Sequence, residues 1–519
     1  MTREDLIIEN AQIKEKLATT ESKLNWLMEQ FNLLQKKQFG SSSEKSSALQ
    51  IELGFNEAEA VVDAVGEVVE PKTITYVRKP KSEGHREEVL ANLPTEVVEH
   101  KLPEDEQICS CCGGKLHEMS CDVRNEIKII PAQVKAIKHV TAIYGCRNCE
   151  KNELTVPIVK APSPKPLIKG SLASPSAVAY VMSQKYVEAM PLYRQEKHFE
   201  RLGIELPRAI LSNWTLKGGE MLEPIYDRMG EKLLEHDILH ADETSVQVIR
   251  EDGRDAQTKS FMWLYRSGRY GPPIVLYEYQ KTRAGEHPKR FLDGFAGHLH
   301  ADGYAGYNDI ENTTLVGCWA HARRKFCDAL ATLPKESQSD PELLANIALK
   351  YISELYHIEK ELKDASPEHR KEVRNTRSKT TLDDFKGWLD RESTLALPKT
   401  TLGKAIIYCR NQWSKLIAFL ADGRLEIDNN RAERSIKPFV IGRKNWLFSI
   451  TPRGAKTSAI IYSIVETAKE NGLDPFAYLE HVFERIRNID SSDNITIDSL
   501  LPWSDDVQAS LKISLVASV

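Results

Sequence analysis

The stretch Leu239–Val248, LHADETSVQV, decides how the middle of this chain is read. A short run with Val246, Val248 and Ile249 near its end reads as a strand. Alternate side chains of a strand share a face, so Asp242 points away from Glu243. One carboxylate is thereby set apart on a rigid element, as a metal ligand requires. About sixty residues later HLHADGYAGYN offers Asp302 in a second His-Ala-Asp setting. DNNRAERSIKP offers Glu433 in the first turns of a helix that Asp428 is expected to cap, and Glu426 and Asp428 compete with Glu433 for the third position. Two strand aspartates and a helix carboxylate could meet around a pair of divalent ions, the arrangement two-metal phosphoryl transfer needs.

Around this stretch the chain alternates strand and helix. Asp242 sits on the first strand; SFMWLYRS and PIVLYEY read as the next two, HLHADGY and TLVGCWA as the fourth and fifth, and HARRKFCDALATL as helix. Five strands then helix, with an acid on the first and fourth, is the order of the ribonuclease H-like fold. A charged helical block with Trp388 and Trp413 as anchors separates these strands from Glu433. Two helices, GAKTSAIIYSIVETAKENG and DPFAYLEHVFERI, close the core.

The rest of the chain supplies modules. Leu6, Ile13, Leu27 and Leu34 share one heptad position, with Thr20 breaking the row. Leu17, Leu24 and Phe31 share the other, with Asn10 as a polar entry, so the spacing predicts a coiled coil. Residues 57–70 carry five acids and no bases before the chain turns basic at Arg78, Lys79 and Lys81, the pattern of a linker. Cys109-x-x-Cys112 and Cys146-x-x-Cys149, 33 residues apart, have the spacing of a four-cysteine zinc site. Cys111 and Cys121 are spare, and the β-branched residues between the pairs suit a hairpin. Beyond the proline-rich joint APSPKPLIK, Pro191–Leu202 and Pro207–Trp214 flank Gly203 as a helix-turn-helix. Arg194, Lys197, Arg201 and Arg208 could there meet phosphates. A net charge of −5 excludes a uniformly basic coat, so DNA contacts would be local. No run is long and apolar enough to span a membrane. The N-terminus lacks the apolar core of a signal peptide, and a cytoplasmic location is expected.

At HADETSVQV, ADGYAGY, CWAHARRKF and DNNRAERSIKPFVIGRKNWLF the chain resembles the transposases of the insertion-sequence 66 family. FGSSSEK, the four cysteines, YRQEKHFERLG and the LPW tail extend the likeness nearly end to end. The resemblance implies an Asp-Asp-Glu triad of Asp242, Asp302 and Glu433, and favours Glu433 over Glu426 and Asp428. It implies two Mg²⁺ or Mn²⁺ ions per active site, cleavage at the element's ends to free a 3′-hydroxyl, and attack of that hydroxyl on target DNA. Double-stranded DNA, a homo-oligomeric partner and small accessory proteins are the implied partners. Arg323, Arg324 and Lys325, with Arg431, Arg434, Lys437, Arg443 and Lys444 around Glu433, are expected to face the DNA backbone. Cys318-x-x-His321 is half a zinc site without partners and is expected to pack beside the triad. Rival readings are a DNA-binding regulator without catalysis and a hydrolytic nuclease that never joins strands; the intact triad speaks against the first, and the coil with two DNA-binding modules against the second.

The expected organisation is a coiled-coil helix over 1–45, a linker over 46–100, a Cys₄ zinc ribbon over 101–160 and a helix-turn-helix region over 170–230. A ribonuclease H-like core follows in two parts, 231–330 and 421–490, around a helical insertion at 331–420, with a tail at 491–519. Removing residues 1–40 is expected to lower the oligomeric order measured by sedimentation. A full-length monomer at micromolar concentration without DNA contradicts the coil.

Overall fold

The structure, a computed structural model, describes residues 133–144, 158–488 and 493–511. The coil, the linker and all four ribbon cysteines lie outside the described residues. A small unit contains β1 (Ile143–Tyr144) paired antiparallel with β2 (Val159–Lys160). The β-branched run from Val134 was expected to form a strand before the second cysteine pair. Only Ile143 and Tyr144 do so, and their partner follows that pair in sequence. Upstream, Ile137 and Val140 are 72% and 83% exposed, so no apolar burial favours a longer strand there.

The larger unit is built on a sheet of five strands: β3 (Ile238–Gln247), β4 (Lys259–Ser267), β5 (Val275–Gln280), β6 (Gly297–His300) and β7 (Thr313–Val316). Their spatial order is β5-β4-β3-β6-β7. Strand β4 is antiparallel to β3 and β5, while β3, β6 and β7 run parallel. The buried run Met262–Tyr265 explains why β4 reads as continuously apolar: both its faces are covered.

Before the sheet come α1 (Pro175–Tyr186), α2 (Leu192–Arg201) and α3 (Arg208–Leu234). The expected helix, Gly203 turn and helix are present, with Gly203 at φ +87°, and the helix expected to start over Pro207–Trp214 runs on to Leu234. The pair Gly218-Gly219 reads as a breaker, yet here it allows close packing. A Cβ on Gly218 would stand 2.3 Å from Met182 of α1, and one on Gly219 would stand 2.5 Å from Thr457.

After β7 come α5 (Trp319–Ala331) and a helical block: α6 (Leu344–Glu361), α7 (Pro367–Val373), α8 (Lys379–Leu395), α9 (Thr401–Asn411) and α10 (Trp413–Leu416). Between β5 and β6 lies the short α4 (Glu286–Phe291). Then follow α11 (Asn430–Trp446), against β3 and β4, and α12 (Pro452–Glu470), against β5 and α3. The C-terminal elements are α13 (Pro475–Ile486), α14 (Asn494–Asp498) and α15 (Asp505–Leu511). An edge strand normally leaves its outer backbone groups unpaired. Here α12 supplies partners: Ser463 Oγ accepts from Tyr277 N at 2.7 Å, and Thr467 Oγ1 accepts from Val275 N at 3.0 Å.

The helical block has its own core, in which the expected anchors Trp388 and Trp413 meet Phe385 at 5.7 and 6.2 Å between ring centroids. Arg374, fully buried in a π-helical turn between α7 and α8, ties this block to the chain leading to Glu433. It grips Glu359 at 2.7 and 2.6 Å and donates to the carbonyls of Phe419, Asp422 and Leu425. Arg374→Met is expected to cost about 3–5 kcal/mol in denaturant unfolding, because the largely buried Glu359 loses its closer partner and keeps Arg370 at 3.2 Å. Adding Glu359→Leu should recover only part, since three carbonyls stay unsatisfied.

Candidate active site

The repeated His-Ala-Asp has a geometric cause. Strands β3 and β6 are in parallel register with His240 opposite His300, and the two buried imidazoles stack at 4.2 Å and 10°. The chain then carries Asp242 and Asp302 each two residues beyond the same rung, side by side. Pairing ends at this rung, so Asp302 sits in the turn after β6 rather than on the strand, its Oδ1 accepting from Tyr304 N at 2.8 Å.

Glu433 arrives from α11, in whose first turn it is 4% exposed. Asn429, the N-cap residue, fixes this helix to β3. Its Nδ2 donates to Ala241 O at 2.8 Å, its Oδ1 lies 2.9 Å from His240 Nδ1, and its backbone N donates to Cys318 Sγ at 3.2 Å. Asp428 was expected to be the cap. It lies one residue earlier, where its carboxylate accepts from the backbone N and Nδ2 of Asn430 and from Tyr356 Oη at 2.9 Å. The helix begins later because Asn429 is held by β3.

Electrostatics separate the competing acids. Burial, with the charges of Glu243, Glu433 and Asp302 added, pushes the Asp242 carboxyl well above its usual range. Asp242 therefore lies within electrostatic reach of both Asp302 and Glu433. Burial would also raise Glu426, but His240 and the Arg431 guanidinium, 2.6 Å away, outweigh it and hold the carboxyl at about 2. Glu426 is thus committed to an internal ion pair. Asp428, buried against Tyr356, is pushed up to about 7. Glu433 Oε1, by contrast, is buried and has no hydrogen-bond partner.

The partners of Glu243 went unread in the sequence, whereas His321 stands beside Glu433, as expected of the Cys318-x-x-His321 turn. The Glu243 side chain is buried, ion-paired to Arg283 and accepting from Tyr307 Oη at 2.6 Å. The tyrosines of ADGYAGY were the available signal. His321 Nδ1 stands 3.4 Å from Glu433 Oε1, and burial lowers its pKa. Ligand atoms of Cys318, His321 and Glu433 all lie within 4.8 Å of one another. No other group of three metal-ligating side chains among the described residues is that tight, so at least one pair within Asp242, Asp302 and Glu433 is farther apart.

Comparison with known families bears directly on these residues. Residues 170–457, which carry all three acids, match the model described as Transposase IS66 family. The chain belongs to that family. Residues 463–503 match the IS66 C-terminal element, and residues 106–150 match the zinc-finger binding domain of transposase IS66, which supports a structural zinc on the ribbon. Residues 26–98 match a model described as Transposase C of IS166 homeodomain, across the boundary expected at residue 45. Similar proteins of Sinorhizobium fredii (strain NBRC 101917 / NGR234) include the uncharacterized protein y4jD, 31% identical over 77% of this chain and 78% of that protein. Another is the uncharacterized protein y4qI, 29% identical over 91% of this chain and 87% of that protein.

The IS66 transposase residues expected to face DNA divide into two groups. Arg194, Lys197, Arg201 and Arg208 around the Gly203 turn are exposed, as are Arg434 and Lys444 on α11. Arg323 is not: at 8% exposed it shares the buried face of α5 with Trp319, Ala322 and Phe326, the i, i+3, i+4, i+7 positions that pack on the helical block. Arg431 is turned inward to Glu426. Arg324 Nη2 lies 3.4 Å from Glu433 Oε2, Lys325 sits over the Tyr408 ring at 4.6 Å, and Lys437 and Arg443 are half-buried. Among the described residues no helix is long and apolar enough to cross a membrane.

The raised Asp428 pKa has a measurable consequence. The folded state keeps its proton to about pH 7, whereas an unfolded aspartate loses it near its ordinary value of 3.8. The folded state therefore binds more protons between these values, and stability falls as pH rises through that window. Asp428→Asn carries no such charge. Its stability relative to the parent should rise by about 2–3 kcal/mol between pH 5 and pH 8 in urea unfolding. A pH-independent difference contradicts the assignment.

Proposed function

We propose that this IS66 family member is a DNA transposase that binds the ends of its insertion element and cleaves and joins DNA strands. In this reading Asp242, Asp302 and Glu433 hold the catalytic metals of a ribonuclease H-like core. The observation that carries it is the register of β3 and β6, which sets Asp242 within β3 beside Asp302 just past the end of β6, with a helix glutamate clamped to β3 by Asn429. Antiparallel β5-β4-β3 joined to parallel β3-β6-β7 is the strand arrangement of that core and supports it.

The donor set fits Mg²⁺ or Mn²⁺. Three carboxylates supply hard oxygen ligands, Glu433 Oε1 is buried without a partner, and burial with the acidic neighbours pushes the Asp242 carboxyl well above its usual range, a shift that a bound cation would oppose. Two bound ions would stabilise charge on the attacking and leaving oxygens of an in-line displacement. The remaining work falls to the chain. Arg283 and Tyr307 lock Glu243 away from the ligand set, so that Asp242 alone on β3 presents a carboxylate there. Arg324, beside Glu433, is placed to meet a phosphate oxygen, and the exposed bases of α2 and α11 to hold the flanking backbone. Burial lowers the His321 pKa, which disfavours a positive charge beside Glu433 at neutral pH. Cys109, Cys112, Cys146 and Cys149 are proposed to hold the structural Zn²⁺ of an end-binding ribbon, and residues 1–45 to bring two subunits together, since strand transfer needs two ends held at once.

Asp242→Asn, Asp302→Asn and Glu433→Gln are each expected to lower Mg²⁺-dependent cleavage and joining of end-bearing DNA by orders of magnitude while leaving end binding nearly unchanged. Glu426→Gln should retain measurable cleavage; the reverse pattern, with Glu433→Gln active and Glu426→Gln inactive, moves the third ligand to Glu426. Without metal, Asp242→Asn should also raise stability by about 0.5–2 kcal/mol, as relief of functional strain does. A mere surface acid would show no such gain.

A further inference from the structure

Cys318, His321 and Glu433 bring together donors that the carboxylate triad does not need. Cys318 precedes α5, His321 lies in its first turn and Glu433 in the first turn of α11. Glu433 Oε1 and His321 Nδ1 are both buried without hydrogen bonds, 3.4 Å apart. That spacing is informative: two ligand atoms on a tetrahedral ion with bonds of about 2.0–2.1 Å stand about 3.3–3.4 Å from each other. The Cys318 sulfur completes the set within 4.8 Å, and it accepts the backbone N–H of Asn429 at 3.2 Å, a contact that favours a thiolate.

We propose that Cys318, His321 and Glu433 form a site for a borderline-soft divalent cation, Zn²⁺ foremost, whose occupancy withdraws Glu433 from the catalytic metals. A sulfur, an imidazole nitrogen and one carboxylate oxygen suit Zn²⁺ and leave a fourth position for water. Mg²⁺ prefers oxygen ligands alone and does not compete for the thiol or imidazole. Burial keeps the thiol protonated in the free protein, so binding replaces the S–H bond by a sulfur–metal bond and releases that proton to solvent. The second half of the proposal rests on Glu433 being a catalytic-metal ligand; the first does not.

The test uses the full-length protein, with the ribbon's zinc in place, titrated with Zn²⁺ against a chromophoric chelator. The parent should take up one zinc more than Cys318→Ser or His321→Gln. Where the buried serine disturbs folding, the partly exposed His321 variant alone carries the count. An equal count in parent and His321→Gln overturns the site. In Mg²⁺-dependent cleavage, each protein scored against its own zinc-free rate, half-inhibition should need about tenfold more Zn²⁺, or higher still, in the variants. Equal inhibition in all three overturns the exclusion of the catalytic metals. If the parent cuts no DNA at all, the catalytic reading fails while the zinc count still decides the site.

Discussion

The site depends on one side chain amide. Asn429 Nδ2 donates to the carbonyl of Ala241, which leaves its Oδ1 for His240, so His240 Nδ1 must be the donor of that pair. Burial keeps His240 neutral, at about 4, in agreement with a single proton on the ring. The amide thereby fixes a tautomer, the residue before Asp242 and the start of α11 at once. Its own carbonyl accepts from Glu433 N at 3.2 Å, so the glutamate is positioned relative to β3 through a chain of two residues. No loop flexibility intervenes between the strand acid and the helix acid.

Bringing acids together works against folding, and the surroundings show what opposes the repulsion. Asp242 is pushed upward by three neighbouring carboxylates and by burial. The elements that hold it there are fastened by polar contacts in the interior as well as by apolar packing. Arg266 of β4 reaches Glu470 of α12 at 3.0 Å, and α12 covers the β5 edge with hydroxyls. The helical block is fastened in the same manner through Tyr356 to Asp428 and through Arg374 to Leu425. It therefore buttresses the approach to Glu433 rather than merely separating it from the strands.

Much of this was legible from pattern. Five strands, their order along the chain, the acid on the first strand and the one just past the fourth, and the helical block all follow from period-two apolar runs and their interruptions. What was lost was lost for identifiable reasons. Helix α1 carries apolar residues around its circumference, because α3 and α13 both pack on it, so its helical period is faint, although Ser174 and Pro175 mark its start. The length of α3 was hidden by Gly218, Gly219 and Pro224, which signal a break in isolation and serve close packing here. Arg323 was grouped by charge with Arg324 and Lys325, although its spacing from Trp319 and Phe326 puts it on the buried face.

The third acid shows where sequence spacing runs out. Glu426, Asp428 and Glu433 lie within eight residues, and composition gives no means of ranking them. Partners do. Glu426 is neutralised by a guanidinium five residues on, and Asp428 is consumed by a tyrosine from the distant helical block. Only Glu433 keeps a buried oxygen unspent, between Arg324 on one side and His321 on the other. In the proposed reading this carboxylate serves either Asp242 and Asp302 or the Cys318–His321 turn. The hardness of the arriving cation would then decide between them, because the two proposed ligand sets share this residue and differ in everything else.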